Sequence, residues 1–414
     1  MRRLTAGTLA SNPDFRRFWL MNVLSTFGHQ ITSLALPLTA VLLLHATPSQ
    51  MGLLVALQVA PFAFLSLPVG VWLDRRAKFP ILFWSHFLFV FVLASVPVAW
   101  WCGLLTMTWL YVIGFLIGTV SVVGGAASQV FLTHLVGREH LIDAHSNFAA
   151  TDSVARLLGP GIGGLLVQWL TAPFALLADA VGFLVSSWSL WRIRTRDADP
   201  PPTETHPVRD MLDGLLFIRR HDVLWTLAWG IGIWQLLFNG YNALSVLFAT
   251  RELHMSPGTL GMMQMVGGFG VLLSSQAMKP LSRRFGTGAV ILIGLVGTTA
   301  AWLLLPCIPA ALLGSAHASA LVYGAVIFLF DCSVMLLLMP YVALRQKVTP
   351  DEFLGRMTST MRFLTVAAAP VGGLGAGWIA EHFGVRIGLI AIAACSVALT
   401  VFLLAATRLR HVKD

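Results

Sequence analysis

Long apolar runs alternate with short charged or Pro/Gly-rich breaks along the whole chain. The runs lie near residues 18–44, 51–73, 79–101, 105–131, 144–170, 173–193, 222–249, 257–280, 288–310, 317–344, 357–380 and 384–407. At 1.5 Å per residue each is long enough to cross a bilayer core of roughly 30 Å. The pattern predicts an all-α membrane protein of twelve transmembrane helices in two pseudo-symmetric six-helix halves, residues 1–195 and 222–414, joined by residues 196–221.

Composition agrees with that class: 57% of the 414 residues are hydrophobic and 11% charged, with a mean hydropathy of +0.79. Soluble domains carry about 25% charged residues. A net charge of +9 would suit a polyanion partner, but the bases sit in short clusters between apolar runs. Of 27 Lys and Arg, Arg251 and Arg386 fall in loops on one side, Arg156 and Arg362 fall within spans, and the other twenty-three lie on the side of both termini. The positive-inside rule explains this without nucleic acid and predicts cytoplasmic termini. Cys102, Cys307, Cys332 and Cys395 have no metal-ligand spacing and read as packing residues, with no disulfide and no metal expected. The first residues, MRRLTAGTLASNPDFRRFW, lack the pattern of a cleaved signal peptide.

The connector carries Pro200, Pro201 and Pro202, an extended tether. Beyond it Val208, Met211, Leu212, Leu215 and Leu216 recur at helical spacing behind Pro207. This predicts an amphipathic helix lying on the membrane face, as a plain anchor or a regulatory segment.

A charged turn, Asp74, Arg75, Arg76 and Lys78, separates the second and third spans. The spacing Gly70-x-x-x-Asp74-Arg75 with Lys78 resembles the loop between helices two and three of the major facilitator superfamily, departing at Ala77, where glycine is usual. The second half echoes the first. Leu260-Gly261 and KPLSRRFG (279–286) match Met51-Gly52 and LDRRA, and AAAPVGG (367–373) echoes LLGPGIGG (157–164). Parallel repeats of this kind are expected of that superfamily. Gly159-Pro160-x-x-Gly163-Gly164 in the fifth span resembles the motif of the superfamily's drug and proton antiporters, although Ser146 and Ala155 stand where glycines are usual. NPDFRRFW, the LLADAVGF segment holding Asp179, and GRMTSTMRFLT resemble the branch of macrolide-efflux and enterobactin exporters.

Polar groups inside the spans are the candidates for chemistry, because leaving them unpaired in lipid is costly. Asn22, Ser25 and His29 form one stripe on the first span, as helix-packing groups or a cavity wall; histidine is the side chain that ordinarily titrates near neutral pH, which favours the cavity for His29. Asp152 and Arg156 stand four residues apart and can pair, offsetting part of the roughly 2.5 to 3.5 kcal/mol each charge costs at mid-membrane. The pair is either structural or a proton-sensitive switch. Asp331 and Arg362 are a second coupling candidate, with their pairing undecided by spacing, and Asp179 reads as structural. Gln235, Asn239 and Asn242, with Trp234, Phe238 and Tyr241 beside them, suit either helix packing or an amphiphile pocket. Gln58, Gln129, Gln264 and Tyr341 are lesser cavity candidates.

The resemblance implies a monomeric secondary transporter of the bacterial inner membrane. It exports a small amphiphilic drug, siderophore or metabolite against protons, contacts lipid and uses no cofactor beyond the proton. Asp74, with Gly70 and Arg75, is implied as a latch that meets the start of the eleventh helix and favours closure toward the cytoplasm. No GxxxxGK[ST] loop exists to bind nucleotide, and 100 mV supplies about 2.3 kcal/mol per proton. Uptake of a nutrient or iron chelate, and a non-transporting receptor, are the alternatives; no constellation suggests an enzyme.

Overall fold

A computed structural model describes residues 11–197, 207–312, 314–350 and 353–406, without the side chains of Leu67, Val71, Asp74, Arg138, residues 207–211 and Ala406. Proline and hydroxyl caps start many of the helices. Asn12 caps α1 (Pro13–Leu43), its side-chain oxygen accepting from the N–H groups of Asp14 and Phe15. Thr47 and Gln50 form a reciprocal capping box at α2 (Pro48–Phe64). Then come α3 (Ser66–Asp74), α4 (Lys78–Trp101), α5 (Met107–Val136), α6 (Leu141–Leu170) and α7 (Ala172–Trp191).

After the connector follow α8 (Pro207–Arg220), α9 (Asp222–Leu247), α10 (Pro257–Phe285), α11 (Thr287–Leu304) and α12 (Ala316–Lys347). The chain continues as α13 (Leu354–Val366), α14 (Ala369–Phe383) and α15 (Val385–Ala406). Ser256 and Pro257 open α10 as Thr47 and Pro48 open α2, a structural trace of the repeat.

Two spans that read as continuous in the sequence are broken. The second divides at Leu65 into α2 and α3, and the eleventh divides at Ala367–Ala368 into α13 and α14. Pro61 and Pro68 flank the first break and Pro370 follows the second, each removing a backbone donor.

With those pairs joined, the helices make twelve crossings in two sets of six. Among the described residues eight segments are long and apolar enough to cross a membrane by composition alone. The four that fall short are α2 with α3, α6, α9 and α10: one is broken, and the others carry charged or amide groups. Exposed large apolar side chains such as Trp84, Phe91 and Phe402 cover the outside, as a lipid-facing surface requires. An even number of crossings brings Pro13 and Ala406 to the same face, which also carries Arg75 and Arg76; it is called here the basic face.

Part of the connector forms helix α8. Its proline tether lies outside the described residues, as do the side chains of Val208 and Met211. Helix α8 packs on α13 through a different face from its leucine stripe. Phe217 stacks on Phe353 at 4.9 Å between ring centroids, Ile218 is buried, and a Cβ on Gly214 would meet the Arg356 carbonyl oxygen at 3.0 Å. Leu212 and Leu216 point outward.

Candidate functional site

Two glycine-lined seams join the halves near the face opposite the basic one. In the first, α6 meets α10: a Cβ on Gly164 would lie 2.5 Å from the Pro257 carbonyl oxygen and 2.8 Å from the Gly261 Cα. In the second, α2 meets α14: a Cβ on Gly373 would lie 2.9 Å from the Gly52 carbonyl oxygen, and one on Gly377 2.7 Å from that of Pro48. Each half also caps a helix of the other. Gln168 accepts from the Gly258 N–H at 2.9 Å, and Glu381 accepts from the Ser49 N–H at 3.1 Å. Arg251 donates to the Ala46 carbonyl at 2.8 Å, adding a further tie at this face.

Toward the basic face open space lies within the first half and between the halves instead. A cavity of about 330 Å³ is walled by Asn22, Ser25 and His29 of α1, with Asp152 and Arg156 of α6. Its remaining polar wall, Ser85 and His86 of α4 and Ser121 and Ser128 of α5, was not apparent as a group in the sequence. A second cavity of about 260 Å³ lies between the halves, lined by Phe238, Tyr241 and Asn242 of α9, Gln264 of α10, and Phe330 and Asp331 of α12. Gln30 and Arg156 border both spaces, so the two cavities adjoin and are called here the two lobes.

Arg156 stands at the junction for a local reason. Residue 160 is proline, so the Arg156 carbonyl loses its donor within α6. Gly268 packs there, where a Cβ would come within 3.0 Å of that oxygen. The Arg156 Nε donates to Asp152 Oδ2 at 2.8 Å, and both side chains remain about half exposed, at 55% and 47%. Asp331 rests against α10, where Gly267 leaves room for its carboxylate, and Arg156 is near enough to act on it electrostatically. Arg362 is exposed on α13 and lines neither lobe, so the pairing that spacing left undecided is not made in this structure.

The other candidates divide between lobes and packing. The Asn239 side chain is buried and donates to the Gln235 carbonyl at 2.8 Å, within its own helix. Gln58 lies against Gly114 of α5, Tyr341 is buried beside Arg345, and Gln129 is exposed outside both lobes. Asp179 is buried; it accepts a hydrogen bond from Thr32 and fills the space over Gly28. Gly163 lets α6 approach Ile31 of α1, and Gly159 packs on Gln30. Among the described residues nothing stands within 4 Å of a Cβ at Gly70, and Arg75 and Arg76 are exposed. The Asp74 side chain lies outside the described residues.

A profile described as transmembrane secretion effector, within the major facilitator superfamily, matches residues 7–414. The chain belongs to that family. It is 24% identical over 387 residues to the enterobactin exporter EntS of Citrobacter koseri, covering 90% of this chain and 88% of that one. It is likewise 24% identical over 381 residues to the uncharacterized MFS-type transporter YfiS of Bacillus subtilis strain 168, covering 89% and 87%. Among solved structures the nucleoside transporter NupG superposes with a TM-score of 0.76 at 10% identity over 95% of this chain and 98% of its own. A bacterial homologue of the iron transporter ferroportin gives 0.68 at 17%, covering 93% and 98%. These identities carry the fold alone. Membership of the family makes the chain a multi-pass secondary transporter of small molecules.

Proposed function

We propose that this transporter exports a small amphiphilic molecule, of the kind represented by drugs, siderophores or similar metabolites, in exchange for protons. The observation that carries the reading is the Asp152–Arg156 pair, half exposed where the two lobes join. A charge pair at this depth is tolerated because the partners compensate each other and neither is fully buried. The basic face is the cytoplasmic face of a bacterial inner membrane, on the strength of its Lys and Arg excess, so the conformation described is open inward and sealed outward by the glycine seams.

In the proposed cycle the halves, residues 1–195 and 222–414, rock as rigid bodies in a monomer. Substrate enters from the cytoplasm, the basic face closes, and the seams part. Loss of water around Asp152, or movement of Arg156 toward Asp331, favours proton uptake from outside; return to the present state releases the proton inward. Asp74, supported by Gly70 and Arg75, latches the closed basic face against the start of α13, whose helix dipole is positive there.

The test uses energised everted vesicles, a pH dye and a panel of siderophores, macrolides and cationic dyes. Antiport predicts a substrate-dependent collapse of the pH gradient that disappears in Asp152→Asn at equal expression. No collapse with any compound, together with labelled substrate moving inward in whole cells, would move the reading to uptake.

A further inference from the structure

The sign of the charges in the interior narrows the ligand, a step that rests on the transport reading above. Among the described residues lining the two lobes, the carboxylates are Asp152 and Asp331 and the guanidinium is Arg156. That guanidinium already holds Asp152 at 2.8 Å. An anionic ligand would meet a cation already engaged and a second carboxylate beside it. A cationic ligand would meet Asp331, whose charge at mid-membrane is costly until compensated.

The surroundings of Asp331 favour the cation further. Phe238, Tyr241 and Phe330 share its lobe, and their rings form one cluster, with centroids 6.0 Å apart for Phe238–Phe330 and 5.2 Å for Tyr241–Phe330. Trp234 stacks behind Phe238 at 5.1 Å and Trp302 lies 5.6 Å from Phe330. Aromatic faces attract cations, by roughly 2 kcal/mol when desolvated, and offer flat apolar area to a hydrophobic body. Asn242 and Gln264 add a few hydrogen-bonding groups at the lobe wall. The other lobe is of different character: its serines and His29 suit neutral hydroxyl or carbonyl groups.

We propose that the ligand is a monocationic amphiphile whose ammonium or delocalised cation sits between Asp331 and the Phe238–Tyr241–Phe330 cluster, with its neutral polar part in the serine-lined lobe. Asp331 is then the residue that determines specificity for charge. An anionic iron chelator is the class the site disfavours, even though relatives of the chain include enterobactin exporters.

Tetraphenylphosphonium and tetraphenylborate, nearly equal in size and opposite in charge, test the sign directly. Binding of each to the purified full chain in nanodiscs is followed by tryptophan fluorescence, with empty discs subtracted. The expected result is saturable phosphonium binding at least tenfold tighter than borate, weakened tenfold or more in Asp331→Asn and partly restored in Asp331→Glu. Equal or tighter borate binding by the wild type, which needs no variant to fold, would overturn the proposal. So would the absence of saturable phosphonium binding, or unchanged phosphonium affinity in a folded Asp331→Asn. Intact charge selectivity without any pH-gradient collapse in vesicles would instead fail the antiport reading alone.

Discussion

The backbones of Gly52 and Gly373 touch across the two halves: a Cβ on Gly373 would lie 2.9 Å from the Gly52 carbonyl oxygen. Gly164 and Gly261 stand in the same relation on the other side, where the corresponding Cα is 2.8 Å from a Cβ on Gly164. Neither contact tolerates a side chain while the outer face stays closed. Gly52→Val and Gly164→Val should each penalise the described conformation by about 1–3 kcal/mol, shifting the equilibrium roughly 5- to 150-fold toward the alternative state. Pulsed electron–electron distance measurements between spin labels on the outer ends of α2 and α14 should show the longer distance gaining population. An unchanged distribution would show that these seams do not gate the outer face.

Asp152→Asn should separate coupling from stability. Both partners of the ion pair are about half exposed, so its loss should change unfolding stability by less than about 1 kcal/mol. Thermal unfolding in detergent should therefore resemble the wild type while proton-linked transport is lost. A large drop in stability would identify the pair as a packing element.

Asp179 and Gly28 make the opposite prediction. An alanine methyl at Gly28 would overlap the buried Asp179 carboxylate and displace it from Thr32. Gly28→Ala should destabilise by about 1–3 kcal/mol, as overpacking does. Gly182→Ala on α7, where nothing lies within 4 Å, should be neutral or stabilising by up to about 1 kcal/mol, since alanine suits a helix interior better. Parallel melting curves of the two variants check the contrast.

The segment after α7 is fastened to the basic face by two acids. Asp14 accepts from the N–H groups of Arg194 and Thr195, each at 3.0 Å, and Asp197 accepts from the N–H groups of Lys78 and Phe79, capping α4 from outside its own sequence. Arg196 lies over the Phe79 ring at 3.8 Å. Asp197→Ala should cost about 1 kcal/mol, the usual value of a lost cap, and should raise the rate of proteolysis after residue 192 without altering the lobes. Proteolysis at the wild-type rate would contradict the cap.

Crossings, repeat and family were legible in the sequence because each rests on a long or repeated pattern. The apolar runs gave every span, and Met51-Gly52 with Leu260-Gly261, LDRRA with KPLSRRFG, and the glycine motifs marked the repeat. Local spacing also identified Asp152 with Arg156, since four residues on a helix bring side chains together. Tertiary neighbours were another matter. Nothing in the spacing of Asp331 revealed that Gly267 would cradle it or that Arg156, rather than Arg362, would be its neighbouring cation. The serines of α4 and α5 hid for the same reason: singly they read as helix-packing hydroxyls, and only the fold turns them toward one space. For Asn239 the polar stripe left packing and pocket both open, and its bond to its own helix was not legible in the spacing. The leucine stripe of α8 was legible, but not that Gly214 and Phe217, on another face, would fit α13.

The most direct test of alternating access through this interior is the accessibility of Ser128, which lines the serine-rich lobe. Ser128→Cys in a background without the four native cysteines is labelled with a membrane-impermeant maleimide in everted and in right-side-out vesicles. The account predicts fast labelling from the cytoplasmic side and slow labelling from outside, with outside labelling rising when Gly52→Val and Gly164→Val are added. Fast labelling from outside in the unmodified seams, or none from the cytoplasmic side, would contradict it.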